Sequence, residues 1–223
     1  MTTDRLQALC ERGRALRGRP TAAARDWYRI TNADAERAQV YLYDAIDDWG
    51  ITADAFVTEL RAVSAPAIDL HINSPGGWVF DGIAIYNALR NHKATVDVTV
   101  DGLAASAASF IAQAGDTITV EKPAKMMIHE AGGLVMGFAG DMRAMADLLD
   151  ELSGTIAGIY ADRSGKPAAG WLDLMAKETW FGAEQAVEAG LADKVAGSET
   201  SAPDNRTRLI RARARVALGG VKT

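Results

Sequence analysis

Short apolar segments with the length of strands alternate with longer segments of helical periodicity between residues 39 and 195, and this alternation constrains the fold more than any other feature. The segments 67–72 (AIDLHI) and 96–100 (VDVTV) have strand length, whereas 52–63 and 78–92 repeat apolar residues at helical spacing. Parallel strands need a long crossover connection, usually a helix. The alternation therefore predicts an α/β fold with a mostly parallel sheet.

Further elements follow from the same patterns. Residues 39–46 (QVYLYDAI), 117–120 (TITV) and 125–129 (KMMIH) are predicted to be strands, and 139–163 a long helix. Gly190 is predicted to end a short helix in AEQAVEAG, because glycine adopts the left-handed conformation at a helix end without a Cβ clash.

Length and charge divide the chain into three parts. A chain of 223 residues, 48% of them hydrophobic, can build one full core with extensions, and we place the boundaries at 1–26, 27–196 and 197–223. The first and last parts are rich in arginine, whereas the middle part is acidic. The basic ends are either solvated tails or contacts to an acidic partner, such as the body of another subunit. No nucleic-acid partner is expected.

Several classes of protein are excluded by what the sequence lacks. No apolar run reaches the roughly 20 residues of a membrane span, and the N-terminus has no apolar signal core, so we expect a cytoplasmic protein without a membrane partner. The single cysteine, Cys10, excludes an internal disulfide framework and fits a reducing compartment. With three histidines besides, we expect neither a metal site nor a cofactor.

Two serines and three histidines are the candidates for chemistry. In DGLAASAASFIAQAG a strand turns into a small-residue helix, and Ser106 lies in its first turn, where free N–H groups point outward. Ser109 is one turn deeper and is expected to bond back to a helix carbonyl. His71 is mid-strand and His92 ends a helix, whereas His129 ends an apolar strand beside a glycine loop. By position alone, a reactive pair and a packed core with a satisfied loop histidine are equally good explanations.

The turn NSPGG at 73–77 is the second unusual feature. Pro75 fixes one backbone angle, and the two glycines permit positive φ. Such a turn before a helix can aim N–H groups at a developing anion, although a plain strand-to-helix turn is an open alternative. A nucleotide loop is excluded, because the turn has neither G-x-G-x-x-G nor G-K-[ST].

Four segments in order, INSPGGWVFDGIAIYNAL, GLAASAAS, MMIHEAGG and FGAEQAVEAGLAD, resemble the motifs of the ClpP family of serine peptidases. The resemblance covers about residues 39–195. It implies a ClpP/crotonase-like spiral of repeated ββα units with a protruding handle helix. It also implies Ser106 as nucleophile, His129 as general base, and the backbone N–H groups of Gly77 and Ala107 as oxyanion donors.

The resembled triad is completed by an aspartate, and an ungapped alignment places Glu178 at that position, with Asp173 as the reserve. A glutamate can also orient an imidazole and stabilise its cation. Substrate is expected to bind extended along glycine-rich strand edges, at Gly76, Gly132 and Gly133, and GGLVMGF is expected to form a handle strand.

The predicted helix 139–163 carries a heptad seam, whose members are Met142, Met145, Leu149, Leu152, Ile156 and Ile159, with Leu148 and Tyr160 widening it. A stripe of this kind either packs on its own core or joins a second subunit. The resemblance implies a homo-oligomeric ring, and two rings could stack through this helix.

The N-terminal region, with VYLYDAIDDWGITADAFVTEL, and the arginine-rich tail depart from the common ClpP pattern and resemble phage-encoded members. We therefore predict an ATP-independent serine endopeptidase that processes capsid or scaffold proteins during phage head maturation in the host cytoplasm. Both departures count against an unfoldase ATPase as partner. The alternatives are a housekeeping peptidase that works with an ATP-dependent unfoldase, a catalytically idle assembly scaffold, and an acyl-CoA enzyme on the same spiral.

Overall fold

In the part of the chain that the structure describes, eight strands form one mixed sheet. The structure is a computed structural model, and it describes residues 28–32, 36–47 and 52–198. The strands are β1 (Tyr28–Asn32), β2 (Arg37–Tyr43), β3 (Ala67–Ser74), β4 (Thr95–Ala105), β5 (Thr117–Val120), β6 (Lys125–Ile128), β7 (Thr179–Gly182) and β8 (Lys194–Val195). They follow the order β1-β2-β3-β4-β5-β8, and β6 pairs with both β4 and β7.

Parallel pairing dominates this sheet, as the alternation of elements predicts. The pairs β2–β3, β3–β4, β4–β5, β4–β6 and β5–β8 are parallel, whereas β1–β2 and β6–β7 are antiparallel. On the side away from β3, the long strand β4 pairs with two strands in turn: residues 97–100 pair with β5, and residues 103–105 pair with β6. This division brings the end of β6 beside the end of β4.

Six helices flank the sheet within the described ranges: α1 (Ala53–Ala62), α2 (Val79–Arg90), α3 (Ala107–Ala112), α4 (Ala139–Ser164), α5 (Ala168–Met175) and α6 (Ala183–Ala189). As predicted, α6 ends at Gly190, whose φ is 86°. In α2 the buried residues are Gly82, Ile85 and Leu89, whereas Ile83 and Tyr86 are half-buried. Because α2 contacts both α1 and α3, its apolar residues are divided between two sides.

One face of the central strands forms the core, and the other carries polar side chains. Alternate residues of β2 to β5 are fully buried, for example Val40 and Leu70. On the opposite face the Arg37 guanidinium pairs with Asp69 and Asp97. The hydrogen bonds from Arg37 hold the pKa of Asp69 below its ordinary value.

The predicted heptad seam is buried in one half of helix α4 and exposed in the other. Leu152, Ile156 and Tyr160, in its second half, are buried in the core of the protein. Met142, in the first half, is 50% exposed. The helix therefore projects its N-terminal half beyond the core. Of the helices in the described part of the chain, neither α4 nor any other has the length and apolarity that crossing a membrane requires.

One predicted strand is absent from the described residues, three elements there were not predicted, and two predicted segments lie outside them. The predicted handle strand in GGLVMGF is wrong, because residues 129–138 form no strand within the described part of the chain and no neighbouring strand supplies backbone partners there. The sequence patterns also missed β1, α5 and β7. The basic segments 1–26 and 199–223 lie outside the described residues.

Candidate active site

Ser106 occupies a strained turn between a strand and a helix. β4 ends at Ala105, α3 begins at Ala107, and Ser106 between them has φ 53° and ψ −123°. Its N–H donates to the carbonyl of Met127 at 2.9 Å, so the turn is anchored to β6. A non-glycine residue at positive φ is costly, and such strain is concentrated at functional sites. The arrangement is that of a nucleophile elbow, which presents a hydroxyl at the end of a sheet.

His129 follows the last residue of β6 and faces this serine. Because β6 runs parallel to the end of β4, the two strands finish at the same edge of the sheet. His129 Nε2 lies 2.8 Å from Ser106 Oγ. With the ring proton on Nδ1, the serine hydroxyl donates to Nε2, which is the arrangement that activates a nucleophile. The predicted pairing of Ser106 with His129 is present in the structure.

Both peptide groups that flank the Gly77 Cα are bonded to Ile46. Ile46 N–H donates to the Gly76 carbonyl at 2.8 Å, and Trp78 N–H donates to the Ile46 carbonyl at 2.7 Å. In a trans peptide group the C=O and the N–H point in opposite directions, so the Gly77 N–H, which shares its peptide group with the Gly76 carbonyl, faces away from Ile46. A Cβ on Gly77 would lie 2.0 Å from the Ile46 carbonyl oxygen, so glycine is required for this pairing.

Ala107 supplies the second predicted donor. It is the first residue of α3, and the first N–H groups of a helix have no acceptor within that helix. Gly77, Ser106 and Ala107 all line the same cleft. Backbone N–H groups that line a cleft beside a serine nucleophile can stabilise an oxyanion.

Gly76 does not take the place predicted for it. It is buried, its N–H donates to Ser74 Oγ at 3.1 Å, and its carbonyl is bonded to Ile46. A Cβ on Gly76, whose φ is 88°, would lie 2.6 Å from the Ala107 nitrogen. Gly76 therefore packs directly against the elbow, and it is not among the residues that line the cleft.

The predicted acid lies near His129 without contacting it. The β6–β7 register pairs Ile128 with Thr179, and one further step would set His129 opposite Glu178. Glu178 has φ 48° and is exposed, and its Oε1 accepts a hydrogen bond from Trp180 Nε1 at 3.1 Å. The reserve candidate, Asp173, is exposed on α5. Within the described ranges no hydrogen bond or ion pair joins His129 to a carboxylate, and Glu178 stays a prediction.

A largely apolar cleft of about 500 Å³ opens beside Ser106 and His129. Its walls come from the first turn of α2, the segment 129–134 and the inner face of α4, and they include Trp78, Phe110, Leu149, Leu152 and Ile156. Gly132 and Gly133, which are predicted to bind substrate, line this cleft. The Ala131 N–H donates to Ser153 Oγ at 2.9 Å, which ties this segment to α4. The heptad residues of α4 thus form a wall of the cleft.

Comparison with known proteins identifies the family. The model of the Clp protease family matches residues 22–199. The chain belongs to the Clp protease family. This assignment, with the parallel sheet and the helices around it, confirms the predicted ClpP-like α/β fold.

Two similar proteins are both named as proteolytic subunits of an ATP-dependent Clp protease. The ATP-dependent Clp protease proteolytic subunit of Lobularia maritima is 38% identical over 130 residues, 57% of this chain and 66% of the relative. The protein of that name from Staurastrum punctulatum is 37% identical over 137 residues, 59% of this chain and 67% of the relative. The chain thus spans about two thirds of the length of these curated relatives.

Two contributors to this Clp protease site were not predicted. Ile46 fixes Gly77 through its backbone, and no sequence pattern reports a contact of that kind. Tyr160 lies at the base of the cleft, and its hydroxyl is 2.7 Å from Ser109 Oγ. Its position beside the heptad seam was visible in the sequence, but the partner of its hydroxyl was not.

Proposed function

We propose that the protein is a ClpP-type serine endopeptidase. The observation that carries the proposal is the 2.8 Å contact between Ser106 Oγ and His129 Nε2 at a strained elbow. In the proposed reaction Ser106 Oγ attacks the peptide carbonyl while His129 takes its proton. The oxyanion then accepts hydrogen bonds from the N–H groups of Gly77 and Ala107.

The second half of the reaction reverses the proton transfer. His129 returns the proton to the leaving amine, which departs as the C–N bond breaks and an ester with Ser106 remains. A water molecule, activated by the same imidazole, then hydrolyses the ester. An acid at Glu178 would hold the imidazole and stabilise its cation. In the structure, one oxygen of this carboxylate accepts a hydrogen bond from Trp180 Nε1.

The proposed substrate is a polypeptide in extended conformation. The segment 130–138 lies outside the strand pairs of the described chain, so its backbone groups could pair with a substrate strand. The apolar walls of the cleft beside it suit an apolar side chain. Gly132 and Gly133 allow close approach on this side.

We base the proposed biological role on the names of the relatives. They are named as proteolytic subunits of an ATP-dependent protease, which favours a peptidase that works with an ATP-dependent unfoldase. The phage head maturation role, predicted from the terminal departures, has no support from these comparisons. We therefore prefer the housekeeping alternative.

Assembly into a ring of identical subunits is part of the proposal. Apolar side chains are exposed on the projecting half of α4 and on the segment before it, with Phe138 87% exposed and Met142 50% exposed. Neighbouring apolar side chains that are exposed to solvent mark an interaction surface. Stacking of two rings through α4 would cover them.

Peptidase assays with and without an unfoldase test this proposal. We expect the purified protein to cleave a short fluorogenic peptide without ATP, and to degrade a folded, tagged protein when unfoldase and ATP are added. Ser106→Ala and His129→Gln should lose both activities. Cleavage of co-expressed capsid protein without ATP would favour head maturation instead. An intact oligomer with no Ser106-dependent cleavage would support the idle scaffold, and binding of CoA thioesters would support the acyl-CoA enzyme.

A further inference from the structure

The hydroxyl of Ser109 is bonded to the backbone of the nucleophile. Ser109 is fully buried, and its Oγ lies 2.5 Å from the carbonyl oxygen of Ser106. The Ser109 N–H also donates to this carbonyl, at 3.0 Å. Two donors therefore hold one peptide carbonyl of the elbow.

Tyr160 of α4 completes this contact from the other side. Its hydroxyl lies 2.7 Å from Ser109 Oγ. A carbonyl can only accept, so the single proton of Ser109 is given to Ser106, and the proton between the two hydroxyls must come from Tyr160. Burial raises the pKa of Tyr160 above its ordinary value, so the phenol keeps that proton at neutral pH.

The contact joins two parts of the fold that are far apart in sequence. Tyr160 lies 51 residues after Ser109 and is fixed in the core by its packing on Trp171, with ring centroids 5.5 Å apart. Ser109 holds the Ser106 carbonyl, whose orientation corresponds to the ψ of −123° at which the chain turns into α3. A shift of α4 would thus be transmitted to the elbow through hydrogen bonds.

We propose that Ser109 and Tyr160 are positioning residues that hold the Ser106 elbow in its strained conformation and couple it to helix α4. The inference rests on the proposed peptidase function, because its readout is the reactivity of Ser106. The bond from Ser109 to a carbonyl one turn back is the one that its position in the sequence predicts. The bond to Tyr160 gives Ser109 a second role, since α4 also carries the apolar surface proposed for assembly.

Tyr160→Phe and Ser109→Ala test the coupling. A misplaced nucleophile costs on the order of 10- to 100-fold in rate, so we expect Tyr160→Phe to lower kcat about tenfold with KM unchanged, and Ser109→Ala to lower it further. The rate of labelling by a fluorophosphonate should fall in parallel, although each subunit is still labelled in the end. In the double variant, kcat should equal that of Ser109→Ala, because Tyr160 acts through Ser109.

Ser164→Ala is the matched control. Ser164 is another buried hydroxyl of α4, which donates to the Tyr160 carbonyl at 2.7 Å and accepts from Trp171 Nε1 at 3.0 Å, so its loss disturbs the surroundings of Tyr160 but keeps the hydroxyl bond to Ser109. We expect it to lower the melting temperature as much as Tyr160→Phe while kcat is retained. If Tyr160→Phe keeps wild-type kcat and labelling rate, or if the two single effects on kcat multiply in the double variant, the coupling is refuted. A wild-type protein without Ser106-dependent turnover would instead refute the peptidase function.

Discussion

Gly76→Ala should disable the nucleophile while leaving the cleft open. The added Cβ would lie 2.5 Å from the Ala105 carbonyl oxygen, 2.6 Å from the Ala107 nitrogen and 2.8 Å from Ser106 Cβ. Ordinary contact begins at 3.4 Å, so the turn at 76 and the elbow must separate by about 0.9 Å. The neighbours are largely backbone and cannot rotate away.

Two costs follow from this clash. Displacing the nucleophile by about 1 Å lowers the rate on the order of 100-fold, which is the fall in kcat/KM that we expect. In addition, alanine at a φ of 88° destabilises the fold by about 1–2 kcal/mol. The assay is hydrolysis of a fluorogenic peptide, with the melting temperature measured on the same samples.

Gly170→Ala provides the control for this substitution. Gly170 is exposed on α5, and a Cβ there meets nothing within 4 Å. Alanine in a helix is favoured over glycine by about 1 kcal/mol, so this variant should be slightly more stable and fully active. If Gly76→Ala keeps kcat/KM within about threefold of wild type, the close packing of this turn on the elbow is not what positions Ser106.

Three further predictions concern the acid, its partner and the polar face of the sheet. Glu178→Gln should lower kcat by at least about 100-fold, while Asp173→Asn should leave it unchanged, and the reverse result would transfer the role to Asp173. Trp180→Phe removes the N–H that holds the Glu178 carboxylate and should raise kcat, whereas a fall would show that the indole supports the site. Arg37 lowers the pKa of Asp69, so their pairing stabilises the fold above the unfolded pKa of about 4 and is lost as pH falls through the folded value. Asp69→Asn should therefore lower the free energy of unfolding at pH 7 by less than about 1 kcal/mol, because the pair is partly exposed. Measured as a melting temperature, the difference from wild type should shrink as pH falls through the folded pKa of Asp69.

The parts of the site that sequence could predict are those set by local motifs. Ser106, His129 and the turn at Gly77 each lie in a short segment whose composition fixes a turn or a strand end. Their meeting at one edge follows from parallel pairing, because parallel strands end on the same side. The fold class followed from the same alternation.

What sequence could not predict depends on contacts between distant segments. The strand expected in GGLVMGF has the composition of a strand, but a strand also needs a partner, and the chain supplies none there in the described residues. Conversely, the short β7 exists because β6 lies beside it. The bond between Ser109 and Tyr160 depends on how α4 crosses α3, which no local pattern encodes. The orientation of Glu178 is likewise decided by a neighbouring side chain, Trp180.

Covalent labelling of the folded protein by a fluorophosphonate, followed by mass spectrometry, tests the central claim most directly. A serine activated by His129 should take up one probe per subunit, with the modified peptide mapping to Ser106. Ser106→Ala should abolish labelling, and Ser109→Ala should slow it without changing its site. Failure of the folded wild-type protein to react, or reaction at another residue that persists in Ser106→Ala, would contradict the assignment of Ser106 as the nucleophile.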